Sequence, residues 1–231
     1  MDAEPLTIAI NASSSVSGLW QPAASPRACL VLAHGAGAGM THRAMAAIAE
    51  GLAARGVATL RYQFPYMEKG GKRVDPPPVA QAAVRAAVAE GLRRAGRTPL
   101  FAGGKSFGGR MTSQAQAKTP LAGVRGLVYL GFPLHPAGKP SKERGKHLGD
   151  VSIPMLFLQG TRDTLAELPL IEAVTAALGS VASLKLFEHA DHSFHVPVRS
   201  GRTDDQVVDE ILDQAAAWMR AILSDQAGTA R

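Results

Sequence analysis

The chain has 231 residues, of which 46% are hydrophobic and 19% charged, and its formal net charge is +6. This composition excludes an intrinsically disordered chain and provides enough apolar surface for a sizeable core. The single cysteine, Cys29, excludes an internal disulfide and a Cys/His zinc cluster. No apolar run approaches the ~18–20 residues of a membrane-spanning helix, and the N-terminus lacks a secretory pattern. We therefore expect a cytoplasmic protein with no membrane partner.

The basic balance, 25 Lys and Arg against 19 Asp and Glu, raises the question of nucleic-acid binding. The basic residues are mostly scattered arginines, and only 5% of the residues are aromatic. No basic run is interleaved with aromatics that could stack on bases. The sequence thus predicts no nucleic-acid partner, and it leaves the oligomeric state open.

Short apolar runs alternate with Ala-rich helical patterns, which predicts an α/β fold with a mostly parallel sheet and helices on both faces. The first two strands are the more polar and predict an edge hairpin, whereas the others are continuously apolar, as strands covered on both faces are. The eight predicted strands are Leu6–Ile10, Val16–Trp20, Ala28–Ala33, Ala58–Tyr62, Leu100–Gly103, Gly126–Leu130, Met155–Gln159 and Leu184–Phe187.

Five helices are predicted between and after these strands: Thr41–Ala54, Val79–Ala95, Gly108–Lys118, Leu168–Leu178 and Asp204–Leu223. Two long loops, Phe64–Pro78 and Gly131–Pro154, follow the fourth and sixth strands, at the sheet edge where α/β proteins bind ligands. Neither loop is long enough for a separate lid domain. We predict one domain over residues 1–231, with a core over about 6–223 and a flexible tail over 224–231.

The most informative motif is Gly104-Lys105-Ser106-Phe107-Gly108, which follows an apolar strand and precedes a helix. A G-x-S-x-G sequence in that context predicts a nucleophile elbow, a sharp turn that lifts a serine hydroxyl above the sheet. Small flanking residues are needed because strand and helix pass close together. Two other interpretations remain: a Gly-rich turn with an idle serine, and a phosphate-binding P-loop. The P-loop needs glycine five positions before Gly104, where Pro99 stands.

A serine nucleophile needs a histidine base and a carboxylate that orients it, in the chain order Ser, Asp, His for this kind of fold. Asp163 follows the seventh strand and His192 follows the eighth, so we predict that Ser106, Asp163 and His192 form a catalytic triad. His189 is the main rival base. Asp191 is expected to shape the turn, although it is a rival acid.

Three histidines of this segment, His189, His192 and His195, spell H-x-D-H-x-x-H around Asp191, a pattern that could in principle bind a metal. Tight turns around Asp191 disfavour a shared inward face. We therefore predict no metal and no cofactor.

The oxyanion hole requires a second backbone amide beside that of Phe107, the residue after the nucleophile. The loop after the third strand, His34-Gly35-Ala36-Gly37-Ala38-Gly39-Met40, offers Ala36 as this donor. Its glycines do not match G-x-G-x-x-G, which argues against a dinucleotide site. His34 is expected to brace the loop, and Cys29 to be an apolar filler within a strand.

These motifs, together with Phe64-Pro65-Tyr66-Met67-Glu68 and Gly109-Arg110 after the elbow, resemble a branch of the α/β-hydrolase superfamily. The branch is dienelactone-hydrolase-like, and it is also similar to the hydrolase-like domain of a non-specific-lethal chromatin complex subunit. The resemblance spans about Leu6 to Leu223. Dienelactone hydrolases proper have a cysteine nucleophile, whereas Ser106 stands here.

From these residues we predict a serine hydrolase that cleaves an ester or related acyl substrate through an acyl-enzyme. The substrate is expected to be a small molecule, and the basic residues of the two long loops lead to the hypothesis that it is anionic. The alternative hypothesis is a catalytically quiet binding or scaffold module, since the resemblance implies that some relatives act as scaffolds.

Overall fold

The computed structural model describes residues 2–229, with side chains described as far as residue 225. All eight predicted strands are present, with ends that differ by a few residues. They are β1 (Glu4–Asn11), β2 (Ser14–Gln21), β3 (Ala28–Ala33), β4 (Val57–Tyr62), β5 (Leu100–Lys105), β6 (Val124–Leu130), β7 (Met155–Gly160) and β8 (Ala182–Phe187).

The strands form a single sheet in the order β1-β2-β4-β3-β5-β6-β7-β8. β1 pairs with β2, and β2 with β4, in antiparallel orientation, so the predicted edge hairpin is confirmed. All pairs from β4 across to β8 are parallel. The carboxyl ends of β3 to β8 therefore open onto one edge, where ligands bind in such sheets.

The helices are α1 (Arg43–Ala54), α2 (Pro65–Glu68), α3 (Pro77–Ala95), α4 (Phe107–Lys118), α5 (Leu168–Leu178) and α6 (Asp204–Thr229). They cover the sheet on both faces, as predicted. Cys29 and Val31 of β3 belong to the core with α3, α4 and α5, whereas Leu30 and Leu32 belong to the core with α1 and α6. Because successive strand residues point to opposite faces, one apolar run supplies both cores.

The two long loops contain short helical elements that the sequence analysis missed. α2 lies in the first loop, and a 3-10 helix over Glu143–Asp150 lies in the second. α2 has only four residues, and the 3-10 helix contains a single apolar side chain, Leu148, so neither displays an apolar helical period. Among the described residues, no element forms a separate lid over the carboxyl edge of the sheet.

The last helix also differs from expectation. We expected the helix to end at Leu223, but α6 continues to Thr229. Residues 230 and 231 lie outside the described part of the chain, and the flexibility of residues 224–231 stays a prediction. The segment after Leu223 has no proline and no glycine before Gly228, so nothing stops the helix earlier. Of the described helices, none is both long enough and apolar enough to cross a membrane.

Candidate active site

Ser106 is the one residue between the end of β5 and the start of α4. Its backbone angles, φ 50° and ψ −117°, lie in a region that non-glycine residues seldom occupy. Such a conformation costs of order 1–3 kcal/mol and persists only where the surrounding structure imposes it. The predicted sharp turn is thus present, and the serine occupies its apex.

Close packing around this turn explains the flanking glycines. A Cβ atom on Gly104 would lie 2.4 Å from the carbonyl oxygen of Ala33, and one on Gly108 would lie 2.5 Å from that of His34. Both obstacles are backbone atoms of β3 or the loop after it, so they cannot rotate away. Only glycine lets β5, α4 and β3 approach this closely, and the approach brings the β3 loop beside Ser106.

The structure brings the three predicted residues together in one hydrogen-bonded chain. Nε2 of His192 lies 2.8 Å from Oγ of Ser106, and Nδ1 of the same ring lies 2.7 Å from Oδ2 of Asp163. One nitrogen can therefore accept the serine proton while the other donates to the carboxylate. This is the geometry that a Ser-His-Asp triad requires.

Asp163 is held in place by neighbours that donate hydrogen bonds to its carboxylate. Its side chain is fully buried, its Oδ1 accepts from the Leu165 amide at 2.8 Å, and its Oδ2 accepts from Nε2 of Gln159 at 2.5 Å. Gln159 is itself fixed, because its Oε1 accepts from the Phe132 amide at 2.9 Å. A buried carboxylate surrounded by donors keeps one fixed orientation toward His192.

The rival histidines lie elsewhere. His189 is exposed, has a positive φ of 63°, and has Nε2 3.6 Å from Oε1 of Glu188. His195 pairs with Asp204, which raises the pKa of the histidine. Among the described residues, no three metal-ligating side chains come close enough to hold an ion.

The rival acid, Asp191, has the turn-shaping contacts that we expected. Its Oδ1 accepts hydrogen bonds from the amides of Ser193 at 2.7 Å and His195 at 3.0 Å. These bonds fold the segment after β8 back on itself, and they leave Asp163 as the carboxylate that contacts His192.

The loop after β3 passes directly beside the serine, since a Cβ on Gly35 would lie 3.7 Å from Cβ of Ser106. Among the described residues, the amides of Ala36 and Phe107 donate to no protein acceptor. The assignment of these two amides to an oxyanion hole stays a prediction.

His34 stabilises this loop through hydrogen-bonding contacts of both ring nitrogens. Its Nδ1 lies 2.7 Å from the Gly35 carbonyl, and its Nε2 accepts from the Phe64 amide at 3.0 Å. Burial lowers the pKa of His34, which suits a neutral ring that donates through one nitrogen and accepts through the other. Cys29 lies fully buried in β3, and burial raises the pKa of its thiol to about 12, so it remains a protonated filler.

Two residues near the nucleophile were not foreseen as parts of the site. Lys105, considered from sequence only as a P-loop lysine, donates from Nζ to the main-chain carbonyl of His192. Gln159 ends β7 and orients Asp163. The sequence showed that Lys105 precedes Ser106 and that Gln159 lies at the end of a strand. It did not show their hydrogen-bond partners, which lie 87 residues from Lys105 and 4 residues from Gln159 along the chain.

Arg110 lies one helical turn beyond Ser106, and its amide donates to the Ser106 carbonyl at 3.1 Å. Its Nε is buried without a hydrogen-bond partner among the described residues, and its guanidinium carbon lies 5.9 Å from the Phe107 ring centroid. Burial lowers the pKa of Arg110, and the charge of Arg144 lowers it further. Burial, followed by the charge of Arg110, lowers the pKa of nearby His147 to about 4.

Comparisons with known proteins agree with this architecture. A model of the α/β hydrolase domain family matches residues 26–220, so the chain belongs to that family. An α/β serine hydrolase homologue from Coxiella burnetii superposes with a TM-score of 0.74 at 18% identity, covering 93% of this chain and 98% of its own.

Two further structures show the same fold. A dienelactone hydrolase from Anabaena variabilis has a TM-score of 0.72 at 19% identity, with 95% of this chain and 97% of its own covered. The esterase domain of a Rhodothermus marinus protein has a TM-score of 0.70 at 16% identity, with coverages of 96% and 99%. The recognition of an α/β-hydrolase is thereby confirmed, whereas the dienelactone-hydrolase-like branch and the similarity to the non-specific-lethal complex subunit stay predictions.

Proposed function

We propose that this protein is a serine hydrolase that cleaves a small ester or related acyl substrate. Ser106 Oγ attacks the substrate carbonyl while Nε2 of His192 takes its proton, and His192 then returns that proton to the leaving group. A water activated by His192 releases the acyl group from Ser106. Asp163 keeps the ring in the required tautomer and stabilises the imidazolium that forms.

The observation that carries the proposal is the hydrogen-bonded chain from Ser106 through His192 to a buried Asp163, at 2.8 and 2.7 Å. The strained backbone of Ser106 supports it, because strain of this kind clusters at functional sites. The amides of Ala36 and Phe107 would hold the oxyanion of the tetrahedral intermediate. Each of these steps uses only groups of this chain and water.

Within this reaction we propose that the preferred acyl substrates carry a carboxylate. Arg110 supports this preference, because its guanidinium is partly desolvated and forms no ion pair with the residues that the structure describes, so it gains from a bound anion. Helical side chains lean toward the N-terminus of their helix, which directs Arg110 back toward the turn that holds Ser106. A substrate carboxylate would then lie beside the acyl group under attack.

A fluorophosphonate probe tests the hydrolase against the quiet binding module. We expect stoichiometric labelling of the wild type, because a poised serine attacks phosphorus as it attacks a carbonyl. Ser106→Ala should abolish the labelling, and Ser113→Ala, on the same helix, should retain it. A folded wild type that stays unlabelled and hydrolyses no member of a panel of acyl esters would instead support the quiet binding module.

A further inference from the structure

Lys105 occupies the position immediately before the nucleophile, and the proposed mechanism leaves it without a task. Its Nζ donates a hydrogen bond to the main-chain carbonyl of His192, and the same nitrogen lies 4.9 Å from the ring centroid of Phe194. Both partners belong to the loop after β8. Lys105 thus joins the strand that carries the nucleophile to the loop that carries the base.

Glycines keep the path of this side chain open. A Cβ on Gly131 would lie 2.8 Å from Nζ of Lys105 and 3.4 Å from Nδ1 of His192, and one on Gly35 would lie 3.5 Å from Cγ of Lys105. Neither glycine contributes a titratable group. The ionisable residues that act on the ammonium are Asp163, after β7, and Asp191, after β8, with the His192 ring adjacent.

We propose that Lys105 is a positioning residue that fixes the main chain of His192, so that its ring stays between Ser106 and Asp163. This inference rests on the proposed hydrolase function. A misplacement of about 1 Å in a reacting group can cost on the order of 100-fold in rate. An ammonium suits the task, because a charge-assisted hydrogen bond is roughly twice as strong as a neutral one.

The positioning contact depends on pH, because the Lys105 ammonium can lose its proton. Burial lowers the pKa of Lys105 to about 8, while the charges of Asp163 and Asp191 act in the opposite direction. The charge-assisted contact is therefore complete well below pH 8, is half lost near pH 8, and weakens further as pH rises. Hydrolysis should decline on the alkaline side with the same midpoint.

The contribution of Lys105 to folding stability should change with pH in the direction opposite to that of the activity. The folded-state pKa of Lys105, about 8, lies below its ordinary value of 10.5. Between these values the unfolded chain binds more protons, so the contribution of Lys105 to stability increases with pH. The titration of Lys105 would then not itself destabilise the fold as activity declines, and circular dichroism over the same pH range shows whether the chain stays folded.

Three variants test the proposal: Lys105→Met removes the charge, Lys105→Arg keeps it at all working pH values, and Lys118→Met is a matched control at the exposed end of α4. With an activated ester, Lys105→Met should lower kcat about 10- to 100-fold and change KM less than about threefold. Lys105→Arg should recover most of kcat and retain it into the alkaline range. Lys118→Met should behave as the wild type.

Two results with these variants would overturn the proposal. One is a folded Lys105→Met with kcat within about twofold of wild type, and the other is the same alkaline decline of kcat in the wild type and in Lys105→Arg. The wild type alone provides a second test that needs no variant to fold. NMR titrations of the Lys105 Cε and the His192 carbonyl carbon should share one midpoint with the decline in kcat. The proposal is contradicted if the His192 carbonyl shift does not change as Lys105 titrates, or if kcat declines with a different midpoint.

This design separates the two levels of inference. A wild type that neither hydrolyses esters nor accepts the fluorophosphonate probe overturns the proposed function. The carbonyl titration does not require turnover, so it still decides whether Lys105 holds His192. If the wild type is active and reacts with the probe, but neither kcat nor the His192 carbonyl shift follows the titration of Lys105, only the positioning role of Lys105 is overturned.

Discussion

At the scale of single residues, the site is defined by which partner each ionisable side chain has. His192 contacts both Ser106 and Asp163, whereas His189 has an exposed contact with Glu188 and His195 pairs with Asp204. The three histidines belong to one short segment and share one residue type. Their neighbours make one a candidate base and leave the others outside the reaction.

The first prediction concerns the nucleophile. Ser106→Ala should lower kcat by several orders of magnitude and leave about 10³-fold catalysis over water, from oxyanion stabilisation and binding. The fold should survive, because the hydroxyl has His192 as its hydrogen-bond partner and no core contact depends on it. Steady-state kinetics together with circular dichroism check both parts. Wild-type turnover in a folded variant would mean that another group attacks the substrate.

The second prediction separates the two candidate bases. His192→Gln should match Ser106→Ala, because a base and its nucleophile act as one unit. His189→Gln should stay within about tenfold of wild-type kcat, because its ring contacts Glu188 and not the serine. Parallel measurement of kcat for both variants decides between them. If His189→Gln were the more damaging, the base would have to be reassigned.

At the scale of secondary-structure elements, the elbow depends on how closely α4 approaches β3. Gly108→Ala places a Cβ 2.5 Å from the His34 carbonyl oxygen and 2.7 Å from the Ala33 Cβ. We expect it to lower the free energy of unfolding by about 1–3 kcal/mol or more, and to lower kcat because the Phe107 amide moves. Urea denaturation gives the first quantity and ester kinetics the second.

Gly149→Ala provides the matched control for this substitution. A Cβ there meets nothing within 4 Å, and the backbone does not require a positive φ. Alanine should therefore leave stability within about 1 kcal/mol of wild type, with a small gain from the unfolded chain. A Gly108→Ala variant as stable as Gly149→Ala and wild type would show that the elbow tolerates a side chain and that Gly108 has no packing role.

The elements that were predictable from sequence are those whose physics is local. β3, β5 and β7 are apolar runs between turn residues, and α6 has an apolar stripe at helical spacing. α2 has only four residues, and the 3-10 helix over Glu143–Asp150 has a single apolar side chain, so neither carries an apolar period. They pack against β2 and α4, respectively. Patterns of two or more turns are needed before sequence alone specifies a helix.

The features of the candidate site also differ in whether a local sequence pattern reveals them. Ser106 could be found because the elbow requires glycines at fixed spacing, and Asp163 and His192 because they follow particular strands. The contact of Lys105 with the His192 carbonyl could not be foreseen, since it depends on how the β8 loop returns over β5. Similarly, no local pattern encodes the burial of the Arg110 Nε, which has no hydrogen-bond partner within the described residues, or the position of its guanidinium near the Phe107 ring.

At the scale of the whole molecule, positive charge accumulates at the edge of the sheet where Ser106 opens. The basic residues of the two long loops and of the site are Lys69, Lys72, Arg73, Arg110, Lys139, Lys142, Arg144, Lys146 and Arg162. Of these, Lys146 pairs with Glu143. Most of the others carry no ion pair within the described residues, so the excess remains available to attract anions over about one Debye length, ~8–10 Å.

The last prediction follows from this field and from Arg110. Esters that carry a carboxylate should have a higher kcat/KM than neutral esters of equal size at low salt, and added salt should reduce this advantage because it screens the attraction. Arg110→Gln should lower kcat/KM for the charged ester about tenfold and leave the neutral ester nearly unchanged. Arg220→Gln removes the same charge from an exposed position on α6 and should preserve the preference. Equal rates for both esters at low salt, or equal effects of the two variants, would exclude a carboxylate site at Arg110.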